Sequence, residues 1–251
     1  DERSSSDIDQ PVDPVEAQNG KQREANWASP VSRLDVAGVP AGAVNLNVAG
    51  RHVTNPMHGF GQMWQKTYTI RLANSDVTPQ TLIQTWKDKF ASFWPQGNLF
   101  FPSAGAAIAP GTVAVLNLKL PGGLVLATGL RVIYADRTSF SFMSIEGHVL
   151  AGFITFSCFF EADATIIQVH PLFRASDPLM ELGFRLGAAA QEDRFWHQTL
   201  INLSRRLSLE GQVQQRDLLL DARLQWREIG NIWFSAAIRS ALAMPGYALG
   251  T

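Results

Sequence analysis

Between Thr112 and Arg174 the sequence reads as five short runs separated by turn chemistry, and this series limits the fold more than any other feature. "TVAVLNLKL" directs Ala114, Leu116, Leu118 and Leu120 to one side and Asn117 and Lys119 to the other. "PGG" leads into "LVLATGLRVIYA", "DRTS" into "FSFMSI", "EGHVLAG" into "FITFSCFF", and "EADA" into "TIIQVHPLFR". Side chains of a strand alternate between faces, so such runs mark a sheet with one buried side. Links this short join antiparallel neighbours. In the last run Ile167, Val169 and Phe173 share the inner side. Gln168, His170 and Arg174 are expected on a solvated outer face, with Pro171 marking a bulge or an edge because it cannot donate to the ladder.

The flanks of the series are equally regular. "MWQKTYTIRL" sets Trp64, Tyr68, Ile70 and Leu72 against Gln65, Thr67, Thr69 and Arg71, which predicts one more strand. Thr78 is placed to cap a helix with Pro79 at its first position, and Leu82, Trp86, Phe90 and Phe93 recur at helical spacing until Pro95. After the strands, Asp177 caps a second helix with Pro178 first in it. Its helical pattern runs to about Leu207, roughly 45 Å at 1.5 Å per residue. Strand, helix, five antiparallel strands and a long last helix together predict an α+β domain, a sheet with helices on one side and room between them.

The ends are different. Residues 1–26 hold seven acids, three bases and no aromatic residue, which predicts an acidic, disordered-like tail. Residues 27–59 are rich in Gly, Pro, Ala and Val without helical period and are expected to wrap along the domain surface. Residues 208–251 are expected to form a helical extension, with Ile232, Trp233, Ala236, Ala237 and Ser240 on one face. That face is read as packing on the domain or on a partner, or as an interfacial membrane contact.

Composition excludes several functions. The 251 residues carry a net charge of −1 and only 17% charged residues, so the concentrated basic face that nucleic acid requires is not expected. Cys158, the single cysteine, rules out an intrachain disulfide and every multi-cysteine metal site. The five histidines show no metal-ligand spacing, and no phosphate loop, nucleophile elbow or paired-carboxylate motif is present. No metal and no cofactor is expected. No apolar run reaches about 18 residues, so no ordinary membrane span is expected. No signal peptide is read, although the first residue is Asp1. The expected location is the cytoplasm, with membrane association left open.

Two polar pairs stand out against this apolar background. On the last helix the stripe Leu179, Leu182, Leu186, Ala190, continued at 100° per residue, places Asp193 and His197 on the face toward the sheet. A carboxylate there needs a partner, and His197 lies one turn away. The pair is read either as an acid/base spot on a cavity wall or as a buried structural tie. Glu146 and His148 lie beside Gly147 at a hairpin end, where turn chemistry and a ligand contact are both open. The sequence contains 15 Phe, 7 Trp and 3 Tyr, which suits a core and also a flat apolar ligand.

The order of elements from Phe60 to Leu207, with "IYADRTSFSFMSIEGHVLAGFITF" and "RASDPLMELGFRLGAAAQEDRFWHQTL", resembles a bacterial branch of the START-like superfamily, also called polyketide cyclase or SRPBCC. The resemblance covers about 60% of the chain and implies a helix-grip fold, a curved antiparallel sheet wrapped around a long C-terminal helix. It implies binding of a small hydrophobic molecule, a lipid, polyketide, isoprenoid or pigment-like compound, between sheet and helix. Phe142, Phe156, Leu186 and Trp196 would then line the cavity, with Glu146 and His148 at its mouth. An enzymatic alternative is a cofactor-free cyclase or dehydratase using Asp193 and His197. A further alternative is a subunit of a larger complex docking through residues 1–59 and 208–251.

Overall fold

The structure, a computed structural model, describes residues 25–36, 47–73, 77–102, 107–119, 125–209 and 211–248. Most of the acidic segment 1–26 and the "PGG" turn therefore lie outside the described residues. A single nine-stranded antiparallel sheet organises the rest. Its strands are β1 (Val53–Thr54), β2 (Met63–Ala73), β3 (Leu99–Pro102), β4 (Val113–Lys119), β5 (Val125–Ala135), β6 (Ser139–Ile145), β7 (Leu150–Glu161), β8 (Ala164–Ala175) and β9 (Val213–Asp221). The order across the sheet is β3-β4-β5-β6-β7-β8-β2-β9, with β1 paired to β6 off that path.

The helices are α1 (Pro79–Asp88), α2 (Pro178–Gly183), α3 (Ala189–Arg206) and α4 (Ala236–Ala248), supplemented by 3-10 turns at Phe90–Phe93 and Trp226–Phe234. Thr78 caps α1 by accepting from the Thr81 amide, and Asp177 caps α2 by accepting from the Met180 amide. The aromatic residues of α1 and its following 3-10 turn meet those of β6 and β7 in one core. Phe140 and Phe156 stack with ring centres 4.8 Å apart, and Phe90 packs against both. α3 joins the same core, with Leu200 and Leu203 buried in it. This is an α+β helix-grip architecture.

The expected long helix runs from Pro178 to Arg206 and is kinked within it. Between α2 and α3 the turn Phe184–Ala188 is loosened, and Gly187 adopts φ 126°. A side chain rarely tolerates that backbone, whereas the space around Gly187 is open, so conformation and not crowding calls for glycine here.

The C-terminal extension also departs from its helical expectation. Residues 213–221 form β9, which pairs with β2 from Ile70↔Val213 to Met63↔Asp221. Its residues are mostly exposed on both faces, so no alternation announced a strand. Downstream, Ala236 and Ser240 are buried, and the Ser240 hydroxyl accepts from the Ala127 amide at 3.0 Å. Trp233, by contrast, is 82% exposed.

The convex face is covered as well. Leu34 and Val48 pack with Val113, Val115 and Ile145 in a second, smaller core. Arg174, expected in solvent, is only 1% exposed. Its guanidinium donates to the Gly61 carbonyl at 2.6 Å and the Arg223 carbonyl at 3.0 Å, and it pairs with Asp221 at 2.7 Å. Arg223 first, and Arg174 with it, hold the Asp221 carboxyl well below the usual carboxylate range. The cover comes from chain more than 40 residues later, a distance no local pattern reveals. Pro171 marks neither edge nor bulge. It sits in an inner strand, and the β2–β8 register is the same on both sides, from Gln65↔Leu172 to Tyr68↔Val169.

Candidate functional site

A cavity of about 360 Å³ opens between the concave sheet face and the kinked C-terminal helices. β4 and β5 contribute Leu116, Leu118, Leu126 and Leu130, and β6 to β8 contribute Phe142, Phe153, Ile154, Phe156 and Phe173. The helical wall supplies Met180, Phe184, Phe195 and Trp196. Such a volume and such a lining fall in the range of small-molecule sites. Phe142, Phe156 and Trp196 line it as the resemblance implied, and Trp196 meets Phe156 edge to face at 5.5 Å. Leu186 does not. It is 79% exposed on the far side of the loosened turn. Leu179 and Leu182 are exposed as well, so the obvious leucine stripe is the outer face. The inward set is Met180, Phe184, Ala188, Glu192 and Trp196, spaced by four.

This phase places the polar groups differently from the expectation. Asp193 and His197 do not line the cavity and do not bond to each other. Asp193 accepts from Lys66 Nζ at 2.6 Å and from the Tyr68 hydroxyl at 2.7 Å. His197 turns toward β9, its Nε2 lying 2.9 Å from Gln215 Oε1, and its ring meets Tyr68 edge to face. The carboxyl that reaches the cavity is its neighbour Glu192, whose Oε2 lies 3.0 Å from Lys66 Nζ.

Lys66, Tyr68, Glu192 and Asp193 form one network. Lys66 sits on the inner face of β2 at 2% exposure, in step with Tyr68 and Ile70. Burial works against its charge, but Glu192 and Asp193 outweigh burial and hold the Lys66 pKa above the ordinary lysine value. Burial pushes Glu192 up to about 7, and Asp193 and Asp217 add to the rise against the pull of Lys66. For Asp193, burial is outweighed by the hydrogen bonds from Lys66 and Tyr68, which hold its carboxyl below the usual range. Burial, then Glu192, pushes the Tyr68 phenol far up. Lys66 could have been found by parity, since it shares a face with the buried residues of β2. Glu192 carried no such signal, because the helix phase had to be known first.

Another polar point of the cavity is His148. Gly147, at φ 84°, makes the β6–β7 turn, and its carbonyl accepts from the Ala236 amide at 2.8 Å. A Cβ there would lie 2.0 Å from the Phe234 carbonyl oxygen, so the turn and the C-terminal extension fit only with glycine. His148 lines the cavity at 8% exposure, with Nδ1 3.0 Å from the Thr128 hydroxyl. Burial lowers its pKa to about 4, so the ring is neutral at ordinary pH. Glu146 points away and pairs with Arg51 at 2.9 Å. The two residues of this turn thus serve different surfaces, and Glu146 is corrected from a ligand contact to a tie on the N-terminal wrap. Trp94 offers one more group, an indole N–H that lacks an acceptor among the described residues while its ring lines the cavity.

Among the described residues no cluster of three or more His, Cys, Asp or Glu is placed to hold a metal ion. Also among them, no helix is long and apolar enough to cross a membrane.

No family model matches the sequence, and no curated protein matches it. Solved structures of similar fold include the di-domain ARO/CYC StfQ from the steffimycin biosynthetic pathway, at 9% identity and TM-score 0.43 over 59% of this chain and 53% of that one. Major latex-like protein 151 from Panax ginseng is similar at 11% identity and TM-score 0.41, over 58% of this chain and 98% of its own. A START superfamily protein from Mycobacterium smegmatis is similar at 17% identity and TM-score 0.39, over 59% and 98%. The chain thus spans about half the length of StfQ.

Proposed function

We propose that the protein binds a small hydrophobic molecule in the cavity between its sheet and its C-terminal helices. One observation carries the reading: about 360 Å³ of space, walled mostly by Phe, Trp, Leu, Ile and Met, lies between the sheet and the C-terminal helices. An apolar occupant removes both its own surface and that of the aromatic and aliphatic walls from water. Glu192 and His148 give the occupant polar groups to orient against, at separate points of the wall.

Catalysis by Asp193 and His197 is not part of this reading, because neither touches the cavity. Docking to a larger assembly is not part of it either. Both extensions are anchored on the domain, through Leu34 and Val48 at one end and Ala236 and Ser240 at the other, while Trp27, Trp226 and Trp233 stay exposed.

The test is a cavity block. Leu130 lines the cavity from β5 and is only partly buried. Leu130→Trp should fill the space at a cost of about 1–3 kcal/mol. An organic extract of the purified wild type, read by mass spectrometry, should yield an apolar compound that the variant retains at about a tenth of that level or less. Wild-type protein that carries no apolar compound, and binds no apolar dye such as Nile red, would overturn the proposal.

A further inference from the structure

Charge around Glu192 narrows the kind of molecule the cavity accepts, an inference that rests on the binding reading above. Lys66 is the one cation of the inner network, and it contacts both Glu192, at 3.0 Å, and Asp193, at 2.6 Å. Asp217 on β9 adds a further negative charge felt by Glu192. The cluster is therefore net negative when its acids are ionised. Tyr68 donates to Asp193 and supplies no positive charge. At another polar point, His148 is neutral and bound to Thr128. The described lining itself contains one lysine, Lys119, which is exposed, so solvent and salt screen it.

We infer that the cavity takes an uncharged, hydroxyl-bearing apolar molecule and discriminates against a carboxylate-headed molecule of the same length. A hydroxyl can donate to the Glu192 carboxylate and accept from its protonated form, so it is matched in either state. A carboxylate brought to the same place adds a like charge in a desolvated pocket. The raised pKa of Glu192 reports the same field acting on the protein's own acid. An ammonium head would be attracted, but it must first give up its hydration.

The experiment displaces Nile red from the full chain with 1-dodecanol and with dodecanoate, below their aggregation limits. At pH 8, where Glu192 is mostly ionised, dodecanol should bind about tenfold more tightly or better. At pH 6 Glu192 takes up a proton while dodecanoate stays ionised, so the ratio should narrow to about threefold. This comparison needs no variant. Glu192→Gln, checked for cooperative thermal unfolding, should show the narrow ratio at both pH values. Dodecanoate binding as tightly as dodecanol at pH 8 would overturn the inference and leave the apolar-binding reading standing. A preference for dodecanol that is unchanged by pH and by Glu192→Gln would overturn the assignment to this cluster. Displacement by neither compound would overturn the inference, while failure of Nile red itself to bind would overturn the binding reading.

Discussion

Two titratable residues of the cavity wall, His148 and Glu192, solve the same problem in different ways. His148 and Glu192 are both titratable, both line the cavity and both are held away from bulk water. His148 has one neutral partner, the Thr128 hydroxyl, and burial drives its pKa to about 4, so it gives up its charge. Glu192 has Lys66 beside it, yet burial and the neighbouring acids leave it near 7. The difference teaches that a buried acid stays responsive near neutrality only where a cation keeps its ionised form accessible. One point of the wall is fixed in state across the physiological range, and the other can change.

The largest effect should come from breaking the charged point. Lys66→Met leaves Glu192 and Asp193 without their cation and should cost about 3–5 kcal/mol in urea unfolding. Adding Glu192→Gln should recover part of that loss, since the uncompensated charge goes with it. If Lys66→Met is tolerated at less than about 1 kcal/mol, the network is not buried as described.

Next in size is the pH dependence. The Glu192 pKa is raised on folding, so the protonated acid favours the folded state. This contribution is complete below the ordinary glutamate value of 4.5 and is lost as pH rises through about 7. It amounts to no more than on the order of 3 kcal/mol. Asp193 acts in the opposite sense, losing its contribution as pH falls through its depressed value, and so it does not offset Glu192 in this window. Stability of the wild type from pH 5 to pH 8 should therefore decline more than that of Glu192→Gln. Parallel profiles would remove the distinction between the two points.

The smallest effect belongs to the fixed point. His148→Gln should cost about 1 kcal/mol above pH 7 through the Thr128 hydrogen bond, and less as pH falls from about 6.5 toward 5, because folding lowers the His148 pKa and the wild type loses stability there as its unfolded chain takes up the proton. A cost that stays the same from pH 8 to pH 5 would mean that folding does not hold His148 neutral.

What the sequence disclosed about these two points follows from how each is built. His148 lies in a turn announced by Gly147 and bounded by two alternating strands, so its position at a hairpin end was readable. The strands β4 to β8 were readable for the same reason, as were the caps Thr78 and Asp177, whose side chains bond as their residue types suggest. Glu192 was not readable. Leu179, Leu182 and Leu186 form the more hydrophobic stripe, but they face outward, and the Gly187 kink separates them from α3. A helix phase taken from that stripe selects Asp193 and His197 in place of Glu192 and Trp196. β9 was hidden because a doubly exposed edge strand has no alternation to read. The burial of Arg174 was hidden because its cover arrives from Asp221 and Arg223.

The most direct measurement is a carbon-13 NMR titration of the Glu192 side-chain carboxyl, assigned by its loss in Glu192→Gln, with and without 1-dodecanol. The account predicts a midpoint near 7 in the free protein, a clear change in midpoint or chemical shift when dodecanol is bound, and no such change in Leu130→Trp. A midpoint in the ordinary glutamate range, about 4.3, that dodecanol leaves unmoved would contradict it.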